Sequence, residues 1–236
     1  MPQTRLRFFQ GLDGVSPVWE WLKELRATNP KAYAKCVVRI RRLGAAGHEL
    51  RRPEADFLRD GVYELRARLG SVNYRILYFF HGRNVAVLAH AVTKEDEIPA
   101  IEIDRALERK RMLSPIQPPT RFQETYRMSN QKIHKRTSDA LVLLERLTGK
   151  DQKMADLLEQ ERANLDIAQK IYQLRIKAGL SQIELARKVG TTQSVISRLE
   201  DADYEGHSLA MLRRIAAALK KRVEIRFLPA RRLQHA

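Results

Sequence analysis

Basic side chains alternate with apolar ones along two stretches that have the pattern of β-strands. Successive side chains of a strand point to opposite faces, so Arg66 and Arg68 share one face of the first stretch with Glu64. Arg75 lies on the following stretch. The planar guanidinium group of arginine matches the oxygens of a phosphate, so such a set can bind a polyanion. Alternation alone does not define the register between the stretches, and an ordinary solvated strand face remains the other interpretation.

The elements that would carry these side chains follow from the hydrophobic pattern. Apolar residues at helical spacing, interrupted at Asn29-Pro30, predict two helices within residues 17–44. Alternation predicts three strands, joined by short turns into an antiparallel meander, at residues 62–68, 74–80 and 85–91. A basic helix over 100–112 follows. We therefore predict an α+β domain over residues 1–113, with two helices, a small antiparallel sheet and a closing helix.

The second half of the chain has a helical pattern. Residues 114–130 are rich in proline and polar groups and have the composition of a linker. An amphipathic helix over 137–163 exceeds what a small DNA-binding core needs. We interpret residues 131–163 as a partner-binding segment, with an extra helix of the domain's own core as the alternative. A final alternating run at 222–228 predicts a short terminal edge strand.

Two short helices joined by a tight turn are predicted within this helical half. Ser181 precedes Glu184 by three positions, which is the spacing of a capping box, and Ile183 is expected in the buried face of that helix. Gly190 ends the helix, and Thr192 is placed to cap the next one. The second helix of such a pair, free on its outer side, can enter the major groove of DNA.

Composition and charge narrow the class of protein. The chain has 236 residues, a formal net charge of +16 and a sequence pI of about 10.3, which favours polyanionic partners. Cys36 is the only cysteine, which excludes an intrachain disulfide and a cysteine-based zinc site, and we expect no cofactor. The N-terminus lacks an apolar signal core and no apolar run approaches 18 residues, so we expect a soluble cytoplasmic protein.

Residues 174–201, LRIKAGLSQIELARKVGTTQSVISRLED, resemble the phage repressor and Cro-like (XRE) family. The resemblance implies an all-α helix-turn-helix domain over 164–236, in which Arg175 and Glu200 form a structural pair. We expect it to bind operator DNA as a homodimer, because one recognition helix reads only a few base pairs. By the same resemblance, the DNA-binding residues are Gln193, Ser194, Ser197 and Arg198 at base edges, and Gln182 with Thr192 at phosphates. Glutamine can pair with adenine and arginine with guanine.

The order of elements in residues 5–112 resembles the RelE/HigB family of toxins, which cut messenger RNA on the ribosome. The segments that carry the resemblance are YELRAR (63–68), NYRILYFF (73–80), VAVLAHAVTKEDEIP (85–99) and IEIDRALERK (101–110). The resemblance implies a metal-independent endoribonuclease. The implied catalytic residues are Arg66, Arg68, Arg75 and Lys94. Proton transfer would fall to Lys94, His90 or a tyrosine, or would depend on the ribosome. The chain departs from the family at residues 95–97, where three acidic side chains follow Lys94.

A toxin-like domain followed by an XRE-like domain reproduces, on one chain, the HigB-then-HigA order of a toxin–antitoxin module. The resemblance implies that the second domain blocks the first, through a contact within or between chains, and represses the shared promoter. Two other functions remain open. One is a helix-turn-helix regulator whose N-terminal domain senses or oligomerises without chemistry, and the other is a basic RNA-binding module that does not cleave.

Overall fold

A computed structural model describes residues 4–94, 98–113, 138–149, 151–202 and 208–226. The predicted linker at 114–130 and the acidic run at 95–97 lie outside these residues, as does the side chain of Lys94. The described elements of the first half are β1 (Arg5–Phe8), α1 (Pro17–Thr28), α2 (Pro30–Ala46), a short 3-10 helix (Gly47–Glu49), β2 (Ala55–Arg59), β3 (Val62–Leu69), β4 (Val72–Phe80), β5 (Val85–Lys94) and α3 (Ala100–Leu113).

The strands form one sheet in the order β1-β5-β4-β3-β2. The predicted meander corresponds to β3, β4 and β5, which pair antiparallel, and the α+β fold class is confirmed. The sheet is larger than predicted, because β2 adds a further antiparallel strand and β1 pairs parallel with β5. Both missed strands are short and carry charged residues, so their alternation is too brief to stand out in the sequence.

Each face of the sheet is covered by helices. Leu65, Ile76 and Tyr78 belong to the core that packs against α1 and α2. Leu77 and Phe79 lie on the opposite face and form a second core with α3. The alternation of side chains along β4 therefore supplies both cores, as expected for a sheet enclosed between two helical layers. Arg75 shares its face with Leu77 and lies beyond the part that α3 covers.

The described helices of the second half are α4 (Ala140–Thr148), α5 (Gln152–Lys177), α6 (Gln182–Val189), α7 (Gln193–Glu200) and α8 (Leu209–Ala218). The prediction of one helix over 137–163 is wrong. Gly149 ends α4 with a φ of 58°, which glycine adopts readily, and Asp151 caps α5. The segment from 131 to 137 lies outside the described residues.

Helix α5 joins the helix-turn-helix core to the first domain. It runs through the predicted boundary between residues 163 and 164 without interruption. Its first part contributes Met154, Leu158 and Leu165 to the core that contains α1 and α2, whereas Ile171 lies in the separate core of α6, α7 and α8. The two halves of the chain therefore share a hydrophobic core as well as a polypeptide.

The predicted terminal strand is absent from the described residues 221–226, which have no regular secondary structure. A strand needs a partner for its backbone hydrogen bonds, and none of the strands in the described part of the chain pairs with this segment. Residues 227 and 228 lie outside the described part. None of the described helices combines the length and the apolar character that a membrane span requires.

Candidate nucleic-acid interfaces

A small basic pocket lies at the end of the sheet. Arg66 on β3 is directly opposite Arg75 on β4, and Arg68 is opposite Asn73. A cavity of about 50 Å³ is lined on the side of the first domain by Arg39, Pro53, Glu54, Arg66, Ala67, Arg68, Asn73 and Arg75. Its remaining lining residues, from the second half, are Leu165, Glu200 and Asp201. We call this cavity the basic pocket.

Glu64 moderates the charge of the two facing arginines. Its carboxylate lies 3.7 Å from Nε of Arg66 and 3.5 Å from Nε of Arg75. Burial raises the pKa of Glu64, and the two arginines oppose that rise. Burial also lowers the pKa of Arg75, against the attraction of Glu64. The carboxylate of Glu64 therefore offsets part of the positive charge of this arginine pair.

The position of Lys94 also falls at this end of the sheet. The backbone of Lys94 is opposite Asn73, two residues before Arg75 on β4. Positions two apart on a strand share a face, so the backbone places Lys94 on the face of Arg75. The structure thus brings Arg66, Arg68 and Arg75 together and adds the backbone position of Lys94.

His90 is held in a separate hydrogen-bonded cluster. Its Nε2 lies 2.5 Å from a carboxylate oxygen of Glu102, and Arg109 donates to its Nδ1 at 2.8 Å. Burial lowers the pKa of His90, which favours a neutral ring that donates from Nε2 and accepts at Nδ1. Both ring nitrogens are therefore occupied in this state, and the cluster fits the structural interpretation better than proton transfer. Tyr78, another conceivable proton carrier, is buried in the opposite core.

Glu54 was not identified from the sequence as a residue of this site. It lines the basic pocket and is 1% exposed. Neither carboxylate oxygen has a hydrogen-bond partner among the described residues, although Nε of Arg42 lies 3.5 Å from Oε1. Burial raises the pKa of this carboxyl above the ordinary glutamate value. The only local signal is its place after Pro53, outside any periodic segment.

The helix-turn-helix has its capping residues at the predicted positions. Ser181 and Glu184 form the capping box, and Gly190 ends α6 in the left-handed conformation. Thr192 occupies the predicted N-cap position of α7, although its side chain makes no capping hydrogen bond. The predicted burial of Ile183 is wrong. Its side chain is 59% exposed, because the residue lies on the outer face of a two-turn helix.

A buried ion pair connects α7 to the end of α5. Nε and a terminal nitrogen of Arg175 donate to the two carboxylate oxygens of Glu200 at 2.6 and 2.8 Å. Gln182 donates to Glu200 at 2.9 Å and accepts from Gln193 at 2.7 Å. This bidentate pair is the structural one that the sequence predicted, and it fixes the first glutamines of α6 and α7 relative to each other.

The recognition helix α7 presents a polar outer face. Ile196 and Leu199 are buried in the core of the domain. The predicted DNA-binding residues divide by exposure, and the exposed ones are Thr192, Gln193, Ser194 and Arg198, with Gln182 and Ser197 half-buried. Polar groups that are exposed on one side of a short helix match the requirement for entering a major groove.

Comparisons with known families agree with this division of the chain. Residues 23–111 match the family model of the phage-derived protein Gp49-like. Residues 171–225 match the helix-turn-helix family model. No curated protein matches the chain. The polypeptide therefore carries a Gp49-like domain, related to RelE-type toxins, followed by a helix-turn-helix DNA-binding domain of the XRE type.

Proposed function

We propose that the chain is a toxin–antitoxin module on a single polypeptide. In this proposal the first domain cleaves messenger RNA on translating ribosomes, and the second half inhibits it, binds operator DNA as a homodimer and represses its own promoter. The observation that carries the proposal is the basic pocket, where Arg66 and Arg75 face each other under a cover supplied by α5 and the end of α7.

The chemistry suits a site built from arginines. The ribose 2′-oxygen attacks the adjacent phosphorus, the bond to the 5′-oxygen breaks, and a 2′,3′-cyclic phosphate remains on the upstream fragment. The nucleophile is part of the RNA, so a metal ion is not required to generate it. Arg66, Arg75 and Lys94 would stabilise the negative charge that accumulates on the phosphorane oxygens, and Arg68 would bind a neighbouring phosphate.

Glu54 is our candidate for the proton acceptor. The 2′-hydroxyl must lose a proton and the 5′-oxygen must gain one. A carboxylate with a raised pKa is a stronger base than an ordinary glutamate, and Glu54 lines the basic pocket. His90 is less suited, because both of its ring nitrogens are already hydrogen-bonded.

The same geometry supports inhibition of the toxin within the chain. Leu165 of α5 and Asp201 after α7 line the basic pocket together with the arginines. The cavity of about 50 Å³ is small beside the roughly 300–1,000 Å³ of ligand pockets, so a nucleotide does not fit while the halves are docked. The second half is also tethered at high effective concentration, which favours the closed state.

Primer extension on RNA from an active translation extract tests the enzymatic proposal. The fragment 1–113 should cut messenger RNA, and fragment 128–236 should suppress the cuts. Arg75→Ala should lower the cleavage rate by about 10²–10³, as loss of a comparable transition-state donor does. Arg83→Ala removes an equal charge from an exposed turn and serves as the control. A well-folded fragment that leaves RNA intact would reject the enzyme.

A regulator with a non-catalytic first domain is the second candidate. The observation that favours it is the position of Glu64 within 4 Å of both facing arginines, which reduces their net charge. Such a domain would sense or oligomerise, and operator binding by the second half would be the whole function. Under this candidate, Arg75→Ala and Arg83→Ala would behave alike in every RNA assay.

A further inference from the structure

Arg39 is a buried cation of α2 that the proposed chemistry does not use. Its side chain lines the basic pocket beside Arg66 and Arg75, and the residue is only 3% exposed. The positive charge of Arg39 acts to lower the pKa of both Glu54 and Arg75. Arg39 therefore belongs to the electrostatic environment of the proposed RNA site, although it lies on a helix and not on the sheet.

The described partners of Arg39 are backbone oxygens. One terminal nitrogen donates to the carbonyl of Asp201 at 2.9 Å, and the other donates to the carbonyl of Lys35 at 3.2 Å. Its Nε is buried without a partner in the described part of the chain. No Asp or Glu among the described residues forms an ion pair with it within 4 Å. A buried guanidinium that bonds only neutral carbonyls is costly, and the charge of Glu54 in the same pocket offsets part of that cost.

The oxygen that Arg39 binds belongs to the end of the recognition helix. Asp201 follows α7, and Ala202 has a φ of 55°, a conformation that is unfavourable for alanine. Lys35 donates to the carbonyl of Ala202 at 2.6 Å and pairs with Glu161 of α5 at 3.0 Å. The carbonyl end of α7 carries partial negative charge, so it places oxygens against the two cations of α2.

We infer that Arg39 is a phosphate-binding residue of the RNA site and that the Asp201 carbonyl occupies its guanidinium group while the halves are docked. The inference rests on the proposed function, because it assigns a further ligand to the same site. When α5 leaves α2, Arg39 loses the Asp201 carbonyl and faces the basic pocket with a free side of its guanidinium. Arg39 then extends the arginine pair of the sheet by one phosphate contact.

The test uses the full chain, opened by substitution, and a 2′-O-methyl RNA oligonucleotide that cannot be cleaved. Glu161→Lys places a second cation beside Lys35 and should separate α5 from α2. Leu158→Ala weakens the same interface by loss of apolar contact and provides a second opened chain. Hydrogen exchange in α2 verifies opening, and circular dichroism verifies the fold.

Arg39→Ala is then introduced into each opened chain. Affinity for the RNA should fall on the order of tenfold, the value of a charge-assisted hydrogen bond. The slope of log K against log salt should decrease by about 0.7, as expected for the loss of one phosphate contact to a single strand. Arg41→Ala removes the same charge from an exposed position of the same helix and should leave the slope unchanged.

The outcomes separate this inference from the enzymatic proposal. Opened chains that bind RNA no more tightly than the closed chain would overturn the inference, and so would equal slopes for the Arg39 and Arg41 variants. Cleavage of messenger RNA by the same opened chains is measured separately in the translation extract. Arg39-dependent binding without cleavage would support the inference and reject the enzyme.

Discussion

Arg66 and Arg75 lie opposite each other with Glu64 bridging both, and this detail could not be predicted from the sequence. Alternation placed each arginine on a face of its strand, but the register between strands depends on the turn and on packing. Arg39 and Glu54 were not predicted as residues of the site, for another reason. Both line a pocket where α2, the loop before β2 and the second half of the chain meet, and such a meeting of distant segments leaves no local pattern in the sequence.

The raised pKa of Glu54 predicts a pH-dependent cost to stability. Folding favours the protonated carboxyl, so this residue stabilises the fold below the ordinary glutamate pKa of about 4.3, and the contribution is lost as the pH rises through the raised value. Glu54→Gln should therefore raise the melting temperature near pH 7 by about 2–4 °C for each kcal/mol recovered, and little near pH 4.

Glu24→Gln at an exposed position is the control and should leave this pH profile unchanged. If Glu54→Gln stabilised the chain equally at both pH values, the buried, ionisable state assigned to Glu54 would be wrong. In the cleavage assay the same substitution should lower the rate, because the amide cannot accept the proton.

Arg198 provides a prediction for the DNA-binding surface. It is exposed on α7, next to the buried Leu199. Arg198→Ala should cost roughly 1–3 kcal/mol of operator affinity and relax specificity at one position in each half-site. Binding assays on a set of single-base operator variants measure this. Arg146→Ala on α4 is the control, and an equal loss on every sequence would make Arg198 a phosphate contact.

At the scale of elements, length and periodicity determined what could be predicted. The long strands and α1, α2 and α3 follow from strong periodic patterns, and the capping box and Gly190 define α6. The break between α4 and α5 was missed, because an apolar stripe continues on both sides of Gly149. A single glycine and an aspartate cap decide that break, and neither outweighs the surrounding helical signal.

The terminal segment is expected to become a strand only in a dimer. Residues 221–226 have no regular structure in one chain, and Ile225 is 57% exposed. Deletion of 222–236 should leave the helix-turn-helix folded but weaken dimerisation and operator affinity together, because an edge strand pairs with a second copy. Analytical ultracentrifugation measures the dimer.

Ile225→Asp should reproduce much of this loss, whereas Ile101→Asp, at a similarly exposed isoleucine of α3, should not. A truncated chain that dimerises at the concentration of the intact chain would contradict the strand-pairing account.

At the scale of the whole molecule, the shared core predicts that a substitution in one half changes the free energy of unfolding of the other half. Both tryptophans lie in α1, so their fluorescence follows the first domain. Leu158→Ala on α5 removes a side chain from the core with α1 and α2. It should lower the free energy of unfolding, followed by tryptophan fluorescence, by about 2–5 kcal/mol. Urea denaturation measures it.

Leu185→Ala in the separate helix-turn-helix core is the matched control, and its effect on tryptophan should be smaller. Equal shifts for the two substitutions would show that the chain unfolds as one unit, without the two cores described above.

The order of the two domains could be expected from the resemblances of their sequences. Their docking could not, because it depends on contacts between α2, α5 and the residue after α7.

Growth of cells that express the separate halves tests the central claim most directly. Fragment 1–113 should stop growth, its Arg75→Ala variant should permit growth, and its Arg83→Ala variant should remain toxic. Co-expression of 128–236 should restore growth, because Leu165 of α5 and Asp201 after α7 line and cover the basic pocket. Normal growth with a folded, well-expressed 1–113 fragment would contradict the account and leave the chain as a DNA-binding regulator.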